Sequence, residues 1–479
     1  MLNKFLINFI LYSLTGIATR GISLILLPLY TSVFTPKDYG IMDMIGIISN
    51  LILLTVPLEI SQAIAIFYTD AKTEQSRQAY SSTAVWFMIF SYLIFAVFAL
   101  IFQDLICLWI FGNIDLIGIY HAGLVSIILG GLSYHLQNQM KWEIKPKNYA
   151  ISSNISLFLI VLFSIIFVLF FKWHLQGAFW AQNIGTAIGC LISWWSVRKS
   201  FKSGFSLKLC LEMLSFSTPL VISGIGVFVS LYVDRLMIRS FMSMHELGIF
   251  GVAGRFASII SLLLIGLQNT LVPLILHHHE DPETPKQVGK VLNYFLSVGS
   301  CVIIGLILFS SEILIIFTKP EYYSAAVIIP IMASYTLIAN LYLFSPGLTI
   351  AKKTRTLTVI NLSGAGLNFI LNWLFIPLLG LLGAAVATLI SGIFTFSLNY
   401  HFSQAYFKLK YPWKRNLEII LFPILIASIS CYFTRFIILS FIIKIIIYLV
   451  LLLLIIYFII GKSEIIIIAN KIQEKIPNR

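Results

Sequence analysis

Long apolar runs, each near twenty residues and repeated along almost the whole chain, constrain the fold more than any other feature. Their approximate cores are 6–33, 42–66, 81–103, 119–138, 150–171, 179–197, 214–238, 248–275, 291–317, 326–350, 357–378, 382–402, 417–434 and 437–460. A helix needs about 20 apolar residues to cross the hydrocarbon of a bilayer, so these runs predict about 14 transmembrane helices. Only 11% of the 479 residues are charged, against about 25% in soluble domains. Continuous apolar runs, rather than short alternating ones, favour helices over a β-barrel. The fold expected is an all-α polytopic membrane protein. The N-terminal run lacks a small-residue cleavage site after a short apolar core, so it reads as a retained span.

Charge placement sets orientation. The net charge is +13, which in a soluble chain would suggest a nucleic-acid partner. Here most Lys and Arg fall in alternate loops, including Lys141, Lys145 and Lys147, then Arg198, Lys199, Lys202 and Lys208, then Lys352, Lys353 and Arg355. That bias predicts both termini in the cytoplasm and membrane lipids, not nucleic acid, as surroundings. Connecting loops of no more than about 15 residues leave no room for a soluble catalytic domain. The five cysteines have no paired spacing. They read as small apolar side chains, and no cofactor motif is present.

The chain also repeats itself. Gly16, Gly40, Ile41, Gly46 and their surroundings recur 208 positions later as Gly224, Gly248, Ile249 and Gly254. Leu175, Gly177, Ala178 and Ala181 recur 206 positions later as Leu381, Gly383, Ala384 and Ala387. Six spans separate equivalent positions, so the halves run in the same direction, which predicts parallel repeats about an axis along the membrane normal. The organisation expected is a six-helix half over 1–198, a second over 199–416, two additional helices over 417–461 and a cytoplasmic tail over 462–479.

Polar residues inside the runs are the candidates for function. In the first span Ser13, Gly16, Arg20 and Ser23 follow steps of 3, 4 and 3, which share one helix face. An unpaired arginine in lipid costs about 2.5–3.5 kcal/mol even on the lenient insertion scale. A water-filled cleft removes most of that cost, and a guanidinium matches phosphate in a two-pronged geometry. The bland alternative is a local ion pair. The second span carries Asp43, Gly46, Asn50, Pro57 and Ser61, with a kink expected at Pro57. Glu59 is a candidate ion-coupling group, against the alternative of a neighbouring-helix partner. The eighth span carries Gly251, Arg255, Ser258, Ser261 and Gln268, followed by Asn269. Asp43 suits a helix N-terminal charge, and Asp234 and Arg235 suit an interhelical ion pair. Tyr134, His135, Gln137, Asn138 and Gln139 read as a polar exit from the fourth span, and Lys444 interrupts the last. The run His277-His278-His279 lacks the spacing of a metal site on one helix face.

Three segments resemble the polysaccharide flippase family, which shares a superfamily with multidrug exporters and the lipid II flippase. They are Leu27-Pro28-Leu29-Tyr30-Thr31 with Phe34 to Gly40; Val233 to Ile238 with Leu247-Gly248-Ile249-Phe250; and Asn368 to Thr388. The resemblance implies a V-shaped central cavity between two six-helix halves. It implies transfer of an undecaprenyl-diphosphate-linked oligosaccharide, as in O-antigen and lipopolysaccharide synthesis, from the cytoplasmic to the periplasmic leaflet of a bacterial inner membrane. It further implies a polysaccharide polymerase and a chain-length regulator as partners, and no covalent chemistry. On that expectation Arg20, Arg255, Ser13, Ser23, Asn50, Ser258, Gln268 and Asn269 line the cavity. A cation-coupled multidrug exporter would share the fold but use carboxylates rather than arginines. A membrane glycosyltransferase or polymerase would need a large loop or clustered acidic residues, and neither is present.

Overall fold

The computed structural model describes residues 2–202, 204–261, 281–409 and 440–455, with isolated positions at 271, 275, 411, 413 and 424–426. Side chains of residues 2–14 and of Arg20 lie outside that description. Among the described residues the regular structure is helical, and ten helices are long and apolar enough to cross a membrane. The chain is an all-α polytopic membrane protein. Apart from residues 424–426, span 13 of the sequence reading lies outside the described residues, as does the C-terminal tail.

The chain divides into two compact units, Met1–Gly251 and Val252–Arg479. The first contains α1 (Leu2–Val33), α2 (Pro36–Thr55), α3 (Ile60–Asp70), α4 (Glu74–Ile101), α5 (Gln103–Phe111), α6 (Ile117–Trp142), α7 (Pro146–Ser164), α8 (His174–Val197) and α9 (Leu207–Phe241). The boundary falls within α10 (Met244–Ala257). Helices α6, α7 and α8 pack together, α1 lies on α7, and α9 lies against α2, α3 and α4. The boundary lies beyond 198, the end of the first half expected from the sequence, because α9 packs into the first unit.

Local chemistry sets the helix ends. Thr35 caps α2 reciprocally with Asp38, and Pro36 takes the first helical turn, where its missing N–H costs nothing. Thr73 and Ser76 repeat the device at α4. The second span, expected as one kinked helix over 42–66, is instead broken in two. Buried Pro57 closes α2, and Leu58 and Glu59 take left-handed φ of 47° and 53° before α3 starts. Neither residue is a glycine, so the break carries backbone strain of about 1–3 kcal/mol per residue. The third span is likewise followed by the additional short helix α5.

The start of α10 crosses the start of α2 through two glycines. A Cβ on Gly40 would run into the Met244 carbonyl, and one on Gly248 into the Pro36 carbonyl. Shifting Pro36 and Gly40 by 208 positions gives Met244 and Gly248, so the contact maps onto itself under that shift. One turn on, Asp43 and Gly251 are another such pair, and a Cβ on Gly251 would lie 3.3 Å from the Asp43 carboxyl carbon.

The second unit holds α11 (Thr284–Phe317), α12 (Ile328–Ala339), α13 (Thr354–Leu379), α14 (Leu381–Ser403) and α15 (Ser440–Ile455). Helix α14 packs on both α12 and α13, and α15 docks on α11. Gly380, at φ 60°, lets α13 turn into α14. Lys444, which looked isolated in its apolar run, pairs with Glu312 of α11 at 2.5 Å, and Phe309 packs edge-on to both Phe441 and Tyr448.

Candidate functional site

Polar side chains of the first unit fall into two kinds. Those between α3, α4, α6 and α8 reach across to another helix. Ser126 donates to Asn183 Oδ1 at 2.6 Å, and Asn183 donates to the Ala122 carbonyl at 3.0 Å. Ser61 and His135 Nδ1 share a hydrogen bond of 3.0 Å. Gln139 donates to Ser81 at 3.0 Å and to Glu143 at 2.9 Å. His135 and Gln139 are therefore not the solvated exit that the sequence suggested; both are fully buried. Their spacing of four puts them on one face of α6, turned toward α3 and α4.

The residues of the sequence-derived stripe behave differently. Asn50 is exposed, and its amide donates to the Gly46 carbonyl of its own helix at 2.8 Å. Ser258 sits in a turn just past α10 and donates to the Arg255 carbonyl at 2.6 Å. The eighth span is thus interrupted at Ser258, as the second is at residues 56–59. Ser23 and Arg255 are half-buried and each makes further contacts. The α1 backbone carries Ser13 and Arg20; their side chains, and Gln268, Asn269 and the histidines at 277–279, lie outside the described residues. Glu59 is half-buried at the strained N-terminus of α3, and its side chain does not cap that helix.

Asp43 does not serve as a helix N-terminal charge: α2 begins seven residues earlier, and Asp38 fills that role. Asp43 pairs instead with Arg235 Nε of α9 at 3.1 Å, in the interhelical ion pair that the sequence suggested for Arg235. Arg235 also lies 5.7 Å from the Tyr232 ring centre. Its neighbour Asp234 is buried and accepts the Arg235 backbone N–H at 2.7 Å. No local signal revealed the pairing, because its partners are 192 positions apart in sequence.

Between α2, α4, α5 and α6 lies a small cavity of about 100 Å³, lined by Ile45, Ile52, Phe95, Phe98, Tyr120 and Ile127 among others. Its walls suit hydrocarbon rather than a charged headgroup. Among the described residues no cluster of three His, Cys, Asp or Glu could hold a metal ion.

The fold has counterparts among solved structures of membrane proteins. The structure is similar to that of a lipid II flippase, MurJ, in an inward closed conformation, with a TM-score of 0.69 and 19% identity over 92% of this chain and 97% of that one. An inward-facing MATE-family multidrug transporter matches with a TM-score of 0.63 and 12% identity, over 81% and 94% of the two chains. These likenesses define the fold. The model of the polysaccharide biosynthesis protein family matches residues 5–279, and the chain belongs to that family. A curated relative, the probable low-salt glycan biosynthesis flippase Agl15 of Haloferax volcanii, is 24% identical over 223 residues, which is 44% of this chain and 45% of that protein. The match thus spans less than half of the relative's length.

Proposed function

We propose that this protein is a flippase that carries a polyprenyl-diphosphate-linked oligosaccharide, of the undecaprenyl type, from the cytoplasmic to the outer leaflet of the cytoplasmic membrane. Family membership over residues 5–279 is the observation that carries the reading. The flippase name of the Haloferax relative and the fold shared with a lipid II flippase support it. Its relatives are named as transporters rather than enzymes, in keeping with a step that breaks no covalent bond. The organisation into two six-helix halves, the cytoplasmic placement of both termini and any partnership with a polymerase or chain-length regulator belong to the same proposal.

In this reading the stripe residues hold the cargo headgroup. Arg20 and Arg255 take the phosphates through two-pronged hydrogen bonds, and Ser13, Ser23, Asn50, Ser258, Gln268 and Asn269 contact sugar or phosphate oxygens. Asn50 supports this: it is exposed on a transmembrane helix, and among the described residues its partner is its own backbone. Glu59 is the proposed ion-coupling group, because its carboxylate stands at a strained break within a span.

Deletion in the native host, followed by assay of lipid-linked oligosaccharide by leaflet, tests the function. The flippase reading expects intermediates to build up on the cytoplasmic side. Normal delivery to the outer leaflet with no such build-up rejects it. Arg20→Ala is expected to block rescue at normal membrane abundance, and Arg20→Lys to rescue in part. Loss of the protein itself in Arg20→Ala assigns Arg20 to a structural ion pair instead.

A further inference from the structure

The turn from α6 into α7 and the end of α8, through residue 202, are joined at one end of the first unit. Glu143 holds them together. Its carboxylate accepts Gln139 at 2.9 Å and Ser200 at 2.5 Å, and pairs with Lys145 at 2.5 Å. Lys145 in turn donates to the Ser196 carbonyl at 2.9 Å. Glu143 is therefore spent, with its side chain only 6% exposed, and its charge is cancelled by Lys145.

Around this knot stand cations with no such partner. Lys141, Lys147, Arg198, Lys199 and Lys202 are all exposed, and none pairs with a carboxylate among the described residues. The Arg198 guanidinium lies 3.5 Å from the centre of the Trp195 ring, and that ring is 67% exposed. Stacking on an indole fixes the guanidinium plane and leaves its edge donors free. At the apex of the α6–α7 turn, Ile144 is 69% exposed and has a left-handed φ of 54°. A β-branched residue is costly in that conformation, yet here it projects beside two lysines.

A partner for this surface must offer anionic oxygens and hydrocarbon side by side. Nucleic acid offers phosphates and bases that can stack on an indole, but no hydrocarbon for the exposed aliphatic Ile144. A membrane lipid offers both, with its headgroup at the level of the cations and its chains at the level of Trp195 and Ile144. We propose that the surface formed by Arg198, Lys199, Lys202, Trp195 and the α6–α7 turn is a binding shelf for the headgroup of an anionic phospholipid, separate from the cargo stripe. The shelf gives the first unit a lipid preference that does not depend on the flippase reading.

Native mass spectrometry of the full-length protein, with added phosphatidylglycerol or phosphatidylcholine, tests this. The wild-type protein is expected to retain phosphatidylglycerol over phosphatidylcholine, and the triple variant Arg198→Gln, Lys199→Gln, Lys202→Gln to retain at least about tenfold less phosphatidylglycerol. Trp195→Ala keeps every charge and is expected to weaken retention as well. Lys352→Gln with Lys353→Gln removes two exposed cations from the second unit and is expected to leave it unchanged. Equal binding of the two lipids by the wild-type protein overturns the proposal, whether or not the triple variant folds. So does equal loss in the Lys352/Lys353 variant, which would make the effect one of net charge. Competition by a short oligonucleotide as strong as that by phosphatidylglycerol would make the surface a nucleic-acid site and equally overturn it.

Discussion

Asn183 on α8 and Asn50 on α2 are the same residue type on membrane helices of one unit, yet their surroundings differ. Asn183 is buried, donates to the Ala122 carbonyl and accepts from Ser126, both on α6. Asn50 is exposed and, among the described residues, bonds only to its own helix, one turn back. The α6–α8 region has closed its polar groups against each other, as a bilayer requires of structural residues. Asn50 has not, among the described residues, although Asp43 on the same helix is paired with Arg235, and in a membrane span that leaves polar capacity for water or a ligand. A polar residue type alone therefore does not mark a site; the direction of its hydrogen bonds does.

The contrast can be disrupted most severely at the crossing of α2 and α10. Gly40→Val or Gly248→Val drives a side chain into the opposing backbone carbonyl, which no rotamer can relieve. We expect a cost of about 3 kcal/mol or more, at the upper end of overpacking, and loss of folded protein from the membrane by fluorescence-detected gel filtration. Normal elution of both variants would show that the helices separate freely there.

Next in size is the Asp43–Arg235 pair. Removing either partner leaves the other charge partly buried, and we expect about 2–3 kcal/mol of destabilisation, below the fully buried case because both side chains keep some exposure. The reversed pair, Asp43→Arg with Arg235→Asp, is expected to recover most of the melting temperature lost by the singles. Simple additivity of the two substitutions would mean that the pair contributes nothing.

Asn183→Ala probes the two asparagines at smaller scale. It removes two interhelical hydrogen bonds, each worth about 0.6 kcal/mol in a membrane protein, so a drop in thermal stability of a few degrees is expected in detergent. Asn50→Ala is expected to change stability by less than about 0.5 kcal/mol while lowering transport. If Asn50→Ala destabilised as much as Asn183→Ala with transport per folded molecule intact, the stripe would be structural.

The helical runs were legible in the sequence because the bilayer demands them, and Gly40 and Gly248, matched there by spacing, meet in one tight contact. What the sequence hid was tertiary. Pro57 signals a kink, but the full break needs left-handed Leu58 and Glu59, which local preference opposes and only packing can hold. His135 and Gln139 read as a wet helix end because periodicity does not reveal that α3 and α4 cover that face. Asp43 and Lys444 give no sign of a partner on their own helices, because Arg235 and Glu312 lie far from them along the chain. For the stripe, Asn50 and Ser258 were placed in spans from spacing alone, and their self-directed hydrogen bonds became visible only in the structure.

The most direct measurement is flipping by the purified full-length protein in liposomes, using a fluorescent polyprenyl-diphosphate oligosaccharide and a membrane-impermeant quencher. The account predicts that the protein makes the inner-leaflet pool accessible, that Asn50→Ala slows this, and that Asn183→Ala does not once matched for folded protein. Accessibility no greater than in protein-free liposomes, with the protein folded and inserted, would contradict it.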